Sequence, residues 1–366
     1  MQQVTYGGFW ITQTTEDITN ILGGLKRQVA KIMDSFFSEY LPDLVAPFID
    51  PKKRIYLGYI LVSILIAFGW LLLARRQSPK AAFLTIFDSK ILLSASAKAD
   101  YALFFLNRIL FSFLGLSLFS QLAIATFIYE MLHHQAYLSP QMFSDINHLV
   151  VISLFTFCFF IIDDVTRYVL HRWLHRVPFL WAFHKVHHSA TTLNPMTVFR
   201  THPVEGILFN LRGALAQGTC ISLFYYAFGN SIDLWTVFGV NIGVFVFHAA
   251  GSNLRHSHVH ISYWPWLEKW IISPAQHQIH HSVAPKHYDK NFGVALACWD
   301  WFFGTLHYSE EYSKRVTMKF GLGSEAPMTS HRLADLYLAP FKELCLPLLR
   351  PLMALLQNKV NRGKSP

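Results

Sequence analysis

The sequence predicts an all-α, polytopic membrane bundle. Three observations carry this: a composition 52% hydrophobic and only 14% charged over 366 residues, five apolar segments, and histidines gathered at or beyond the ends of those segments. The same composition excludes a disordered chain. The net charge of +9 comes from basic residues that flank apolar segments without forming a run, which points to a membrane and away from nucleic acid. Cys158, Cys220, Cys298 and Cys345 show no CxxC spacing and read as small buried hydrophobes, with neither a disulfide framework nor a thiolate metal site. The first twenty residues lack the charged start and apolar centre of a cleavable signal peptide.

Residues 1–50 form an amphipathic N-terminal region. Ile18, Ile21, Leu22, Leu25, Val29, Ile32, Met33, Phe36 and Tyr40 recur at helical spacing, with Lys26, Arg27 and Lys31 beside them. Such a helix lies at a bilayer surface or docks on the protein body. Residues 51–100 hold the first membrane segment and a loop. That segment, residues 56–74, "YLGYILVSILIAFGWLLLA", carries no charge and is long enough to span ~30 Å at ~1.5 Å per residue.

The second segment covers residues 109–129. The third runs apolar over residues 149–162 and continues helically into "DDVTRYVLHRWLHR". The fourth and fifth, residues 206–228 and 232–250, meet at Gly229-Asn230, a turn signal that makes them a helical hairpin. The tail over residues 341–366 ends in "QNKVNRGKSP" and is expected to be disordered.

Charge sets the orientation. Residues 131–147 and the Gly229-Asn230 turn contain no Lys or Arg and face away from the cytoplasm, leaving Arg75, Arg76, Lys80 and the histidine clusters on the cytoplasmic side. Lys52, Lys53 and Arg54 conflict with a full first crossing, so either that segment is re-entrant or the charge rule fails there.

Of 19 histidines, most lie between His171 and His287. Three boxes stand out: "HRWLH" (His171, His175), "HKVHH" (His184, His187, His188) and "HQIHH" (His277, His280, His281). At this histidine content, one HxxHH is expected by chance roughly 0.05 times and two roughly 0.001 times, so coincidence is a poor account. On a helix, positions i, i+3 and i+4 share a face, so the rings of one box converge on one point. Imidazole suits Fe, Zn, Cu or Ni, and eight imidazoles exceed what one tetrahedral ion uses, so two ions are the economical reading. Carboxylate-bridged bundles use Glu and Glu-x-x-His ligands, a pattern absent here, so the site is rich in nitrogen.

"HAAGSNLRHSHVH" supplies further ligands: His256 first, with His260, His258 and His248 as alternatives or as partners that orient other ligands. Asp164, one helical face below His171, is a candidate acceptor that fixes a ring tautomer, or else a cap or a salt-bridge partner of Arg167 or Arg172. In "FRTHPVE", His202 is either a ligand or a hydrogen-bonded residue at a helix start.

The ordered boxes, with "FLWAFHKVHHS", "RTHPVE", "SNLRHSHV", "SPAQHQIHHS", "DKNFG" and "WDWFFGTLH", resemble the fatty acid hydroxylase superfamily, in particular its sterol desaturase branch in bacterial form. The resemblance covers roughly residues 100 to 340, which marks 101–340 as a catalytic domain. It implies a cytoplasmic helical cap holding a di-metal site of two Fe ions, with Zn an alternative in an isolated sample. By position match, the implied ligands are His171, His175, His184, His187, His188, His256, His277, His280 and His281. His260 is a weaker match, since many relatives carry another residue there. The implied reaction is O2-dependent hydroxylation or desaturation of a lipid. The implied location is the bacterial inner membrane, or the endoplasmic reticulum in a eukaryote.

Such a reaction consumes electrons, yet the chain has no dinucleotide, flavin or haem motif. A separate reductase, ferredoxin or cytochrome is therefore expected to dock on the basic face. Two other readings stand beside this one. A metal transporter or store should carry ionisable ligands within its spans, and the spans hold almost no carboxylates. A zinc hydrolase would make hydroxide but could not activate O2, and no HExxH is present.

Overall fold

A computed structural model describes residues 41–346 apart from 115–120, 136, 138, 230–231, 238–239, 310–317 and 324–329, together with scattered positions between 23 and 38. Most of the expected N-terminal amphipathic helix and the tail beyond residue 346 lie outside the described residues. Helices dominate the described chain, and one antiparallel pair of two-residue strands accompanies them.

Helix α1 (Leu41–Ile49) leads to α2 (Leu57–Leu73), whose buried residues Tyr59, Ser63, Ala67 and Leu71 recur every four positions along one stripe. Its other side exposes Leu57, Leu61, Leu65 and Leu73. A leucine face open in this way fits lipid better than water. The buried stripe packs with Ala82 and Ile86 of α3 (Pro79–Ile86) and with Leu254, Val259 and Ile261. Full burial of a large apolar side chain of this kind contributes about 1.5–3 kcal/mol. After the short α4 (Ser89–Leu92) come α5 (Ala95–Leu114) and α6 (Gln121–His133). The expected second segment thus falls on the end of one helix and the start of another, with the residues between them not described.

Helix α7 (His148–Arg176) is capped by Asn147, whose side chain accepts from Leu149 N. Its 29 residues reach ~43 Å at ~1.5 Å each. Its first half exposes Leu149, Val150, Leu154 and Phe157, whereas its second half buries Asp163, Asp164, Tyr168 and His171. One helix therefore begins as a lipid-compatible rod and ends inside a polar core. Val177 separates it from α8 (Pro178–His188), where Pro178 takes the first helical position, which needs no N–H donor.

Helix α9 (Pro203–Phe228) packs against α6 and α7 and stops at Gly229, which has φ 66°. Helices α7 and α9 are the two described helices long and apolar enough to cross a membrane.

The expected fifth span is corrected. Helix α10 (Ile242–Ala249) has only eight residues, and strands β1 (Thr236–Val237) and β2 (Val240–Asn241) precede it. The break is built by polar groups within the apolar run. Asn241 caps α10 by accepting from Gly243 N, and its Nδ2 donates to Thr156 O on α7. Trp235 N donates to Thr156 Oγ1, and Ile242 N donates back to Trp235 O. These bonds satisfy the backbone without a continuous helix, so among the described residues the expected span is reduced to the eight of α10.

Beyond α10 lie a 3-10 turn (Ser252–His256), α11 (Pro265–Glu268), α12 (Pro274–His280), α13 (Cys298–Phe302) and helical residues 333–346, α14. Helix α14 buries Leu336 against Val186 of α8 and Leu103 of α5.

Arg54, which conflicted with the charge rule, is tied to the turn that carries His256. Its Nη2 donates to Ser252 O at 2.7 Å, and Asn253 Nδ2 donates to Arg54 O at 3.1 Å. At the other end of α2, Trp70 Nε1 donates to His260 O at 3.0 Å. Both ends of α2 therefore lie against the histidine-bearing segment.

Candidate metal centre

Four elements deliver the boxes. His171 and His175 sit on the last turns of α7; His184, His187 and His188 end α8; His256 ends the 3-10 turn; and His277, His280 and His281 belong to α12 and its C-cap. Helix α12 is only seven residues long and is fixed by a capping box: Ser273 accepts from Gln276 N while Gln276 Oε1 accepts from Ser273 N. Helix α8 is held by a buried guanidinium. Arg200 donates to Val186 O and Ser189 Oγ and pairs with Asp100 at 3.0 Å, both side chains fully buried.

The nine rings divide into two groups. His171, His175, His184, His188 and His280 form one, and His187, His256, His277 and His281 form the other; in each, one ring nitrogen per residue lies within 4.8 Å of all the rest. The expectation that one box converges on one point is corrected. In each HxxHH the i and i+4 rings share a group, and the i+3 ring joins the other. Relative to position i, i+4 turns by about +40° around the helix and i+3 by about −60°, enough for neighbouring rings to serve different points.

In the five-membered group, three rings are oriented through Nδ1. His171 donates to Phe292 O at 2.8 Å, His280 to Lys290 O at 2.8 Å, and His184 to Glu205 Oε1 at 2.9 Å. A carbonyl oxygen can only accept, so Nδ1 of His171 and His280 carries the proton and Nε2 holds a free lone pair. The Nε2 atoms of His175, His184, His188 and His280 are buried with no hydrogen-bond partner among the described residues. In the second group, His256 Nε2 lies 3.2 Å from His187 Nε2 and 2.9 Å from His277 Nε2. Two nitrogens each ~2.1 Å from one ion and at right angles would stand ~3.0 Å apart, so the spacing fits ligands of a shared ion.

Burial, and after it the charge of neighbouring rings, holds the imidazoles of His184, His188, His256, His277, His280 and His281 well below their ordinary range and His187 down at about 3. These rings are neutral at physiological pH, the form that binds metals. Neutral donors with orphaned lone pairs, converging at two adjacent points, make a donor set that two cations fit.

The bracing carbonyls belong to "DKNFG", residues 289–293. Asp300 accepts from Phe292 N at 2.8 Å, Gly293 N at 2.7 Å and Thr305 Oγ1 at 2.6 Å, and burial raises its carboxyl to about 6. A Cβ on Gly293 would meet Leu296 O at 2.5 Å, so only glycine fits this approach.

The five further candidates lie outside both groups. Asp164 holds no histidine; it accepts from Ala295 N, Leu296 N and Trp299 Nε1 and so anchors the segment beyond Gly293. Arg167 pairs instead with Asp163, one residue earlier. His202 caps α9, accepting from Val204 N while its Nε2 donates to Tyr337 O. His248 meets Ser252 Oγ, His258 meets Thr85 O, and His260 meets Gln278 Oε1. Glu205, Asp300 and the two carbonyls carry roles no spacing rule assigns: their partners stand anywhere from 5 to 121 residues away in the chain and are brought together by the tertiary fold.

Two cavities flank the groups. One of about 470 Å³ is lined by His171, His184, His187, His256 and His277, with Phe104, Phe111, Phe199 and Phe209 on its apolar side. Another of about 200 Å³ is lined by His175, His188, His280 and His281, with Trp181 and Asp289. Each of the nine histidines faces one or the other.

Residues 156–305 match the family model described as fatty acid hydroxylase. The chain is 31% identical over 143 residues to alkylglycerol monooxygenase of Danio rerio, covering 39% of this chain and 28% of that protein. It is 31% identical over 147 residues to an ornithine lipid hydroxylase of Rhizobium tropici, covering 40% of each. With a Delta(7)-sterol 5(6)-desaturase of Gibberella zeae it shares 24% identity over 148 residues, 40% of this chain and 41% of that one. Across these three the match spans between 28% and 41% of the relative's length. No solved structure matches the chain. Residues 156–305, which carry both histidine groups and the segment that braces them, are thus similar to the fatty acid hydroxylase family, with an ornithine lipid hydroxylase and a sterol desaturase among the relatives they match.

Proposed function

We propose that the protein is an integral-membrane oxidoreductase that uses two iron ions, O2 and electrons from a separate donor to hydroxylate or desaturate a lipid C–H bond. The observation that carries this reading is the pair of buried, neutral imidazole groups beside an apolar cavity, within the segment that matches the family model. The five-histidine group would hold one ion and the four-histidine group the other. An unactivated C–H bond offers neither an acidic proton nor an electrophilic carbon, so acid–base side chains cannot attack it; bound redox metal supplies the oxidising power from O2.

The chain's own residues do the rest. Phe104, Phe111, Phe199 and Phe209 bind a hydrocarbon and exclude water on the side where five of the rings face the cavity. Glu205, Lys290 O and Phe292 O keep Nδ1 protonated and aim Nε2. In this reading α7 and α9 cross the bilayer with the histidine groups at its cytoplasmic rim. The exposed aromatics Trp264, Trp266 and Trp270 suit that boundary, and a polytopic bundle capped by residues 252–307 follows.

Two measurements test this. Elemental analysis of full-length protein purified without oxygen should give two iron atoms per chain. Lipid extracts from cells with and without the gene should differ by a gain of one oxygen or a loss of two hydrogens. Fully metallated protein that stays inert toward every lipid class with a working electron donor would overturn the proposal.

A further inference from the structure

The larger cavity carries more positive charge than holding neutral ligands requires. Arg54, Arg108, Arg167 and Arg255 all line it, against a single carboxylate, Glu205, which is engaged by His184. Arg167 has its own counter-ion in Asp163. Arg54 and Arg255 make no ion pair among the described residues. Their hydrogen bonds go to neutral acceptors: Arg54 to Asn253 Oδ1 and Ser252 O, Arg255 to Ser252 O and Val294 O. Both guanidinium groups donate to the same oxygen, Ser252 O, at 2.7 and 3.3 Å, so two like charges stand side by side at the cavity wall. Burial, followed by the charges of Arg255 and Arg167, pushes the Arg54 guanidinium well below its ordinary range.

Neighbouring cations in a partly dry site are costly unless an anion joins them. Other walls of the same cavity are phenylalanine, with Val198 and Val294. Charge on one part of the lining and hydrocarbon on the rest call for a ligand with both.

We infer that the cavity takes an amphiphile with an anionic group, a phosphate or a carboxylate, seated on Arg54 and Arg255, its hydrocarbon lying along Phe104, Phe111, Phe199 and Phe209. This rests on the reading of the protein as a lipid-oxidising enzyme and names its substrate class. Anchoring by charge fixes one end of the molecule, so the carbon presented to the histidine groups is counted from the charged end.

The test is equilibrium binding to full-length, metal-loaded protein in phosphatidylcholine nanodiscs, with hexadecyl phosphate, hexadecanoate, hexadecanol and inorganic phosphate as probes. The two anionic amphiphiles should bind at least about tenfold more tightly than hexadecanol, as charge-assisted bonds to guanidinium would give. Arg54→Gln should lose most of that preference while leaving hexadecanol binding near its original value, and Arg54→Lys should retain much of it. Equal affinity for hexadecanol and hexadecyl phosphate would overturn the inference, as would a preference that survives both Arg54→Gln and Arg255→Gln. Inorganic phosphate binding as tightly as hexadecyl phosphate would overturn it too, since the apolar wall would then contribute nothing. If the variants fail to fold, the four probes on the unaltered protein still decide. Protein that holds two irons and oxidises only neutral lipids sinks this inference and leaves the proposed function standing; protein that prefers anionic amphiphiles but holds no iron does the reverse.

Discussion

In the five-histidine group, His171, His184 and His280 each spend Nδ1 on an acceptor supplied by the scaffold, and their Nε2 atoms are aimed before any ion arrives. In the four-histidine group such bracing is largely missing among the described residues. Nδ1 of His256 and of His277, and both nitrogens of His281, have no hydrogen-bond partner among the described residues, and the Nε2 atoms of His187, His256 and His277 face one another. The first group is organised by the protein. The second brings lone pairs together that only a cation or a shared proton reconciles, so its geometry depends more on its ion. The two sites should therefore differ in how they lose metal and in how far they collapse without it.

Deleting ligands gives the largest effect and breaks the comparison most directly. His277→Ala leaves three imidazoles in its group, and His175→Ala leaves four in the other. His277→Ala should purify with about one iron per chain, and its lipid turnover should fall by more than the ~10–100-fold that losing an outer partner costs. His175→Ala should keep more of its iron. Elemental analysis reads both, and a reversed order would refute the unequal reliance on metal.

A large stability effect should come from neither group but from the ion pair behind them. Arg200 and Asp100 are fully buried, and the guanidinium also ties Val186 O at the end of α8. Arg200→Leu leaves an unpaired buried carboxylate and should destabilise the protein by about 3–5 kcal/mol, seen as a lower thermal midpoint in detergent. Because α8 supplies ligands to both groups, metal should be lost from both together.

The boxes themselves are legible in sequence because a histidine repeat on a helix is local, set by 3.6 residues per turn. The division of each box between two groups is not, since it depends on where α7, α8 and α12 meet. Asp164 shows the same limit. It lies on the histidine face of α7, yet its oxygens are taken by Ala295 N, Leu296 N and Trp299 Nε1, which are distant in the chain. The 232–250 segment fails for another reason. Its apolar residues satisfy a span rule, while Asn241 and Thr156 offer the backbone a competing set of bonds that starts the helix only at Ile242. Long periodic helices such as α7 and α9 carry their own evidence; short elements held by tertiary hydrogen bonds do not.

Glu205→Gln sharpens the comparison within one group. Glutamine can still accept from His184 Nδ1 but lacks the charge that makes the imidazole a stronger donor to metal. Iron affinity in the five-histidine group should drop by about 10–100-fold while the four-histidine group keeps its ion. A chelator titration followed by iron absorption should then show two steps, with the order of release inverted relative to the unaltered protein. Two steps in the unaltered order would mean that Glu205 packs beside His184 without tuning it.

The smallest effect belongs to His260, which the spacing with His256 makes an alternative ligand. Its Nδ1 lies 2.9 Å from Gln278 Oε1, and it belongs to neither group. Gln278 Nε2 in turn donates to Ser257 O and Val259 O, so the pair braces the stretch that follows His256. His260→Ala removes one hydrogen bond to a neutral partner and should cost about 0.5–1.5 kcal/mol, with both irons retained. Loss of one iron from this variant would place His260 inside the four-histidine group. That group would then have five members like its neighbour, and the contrast between a scaffold-built site and an ion-built one would need a different origin.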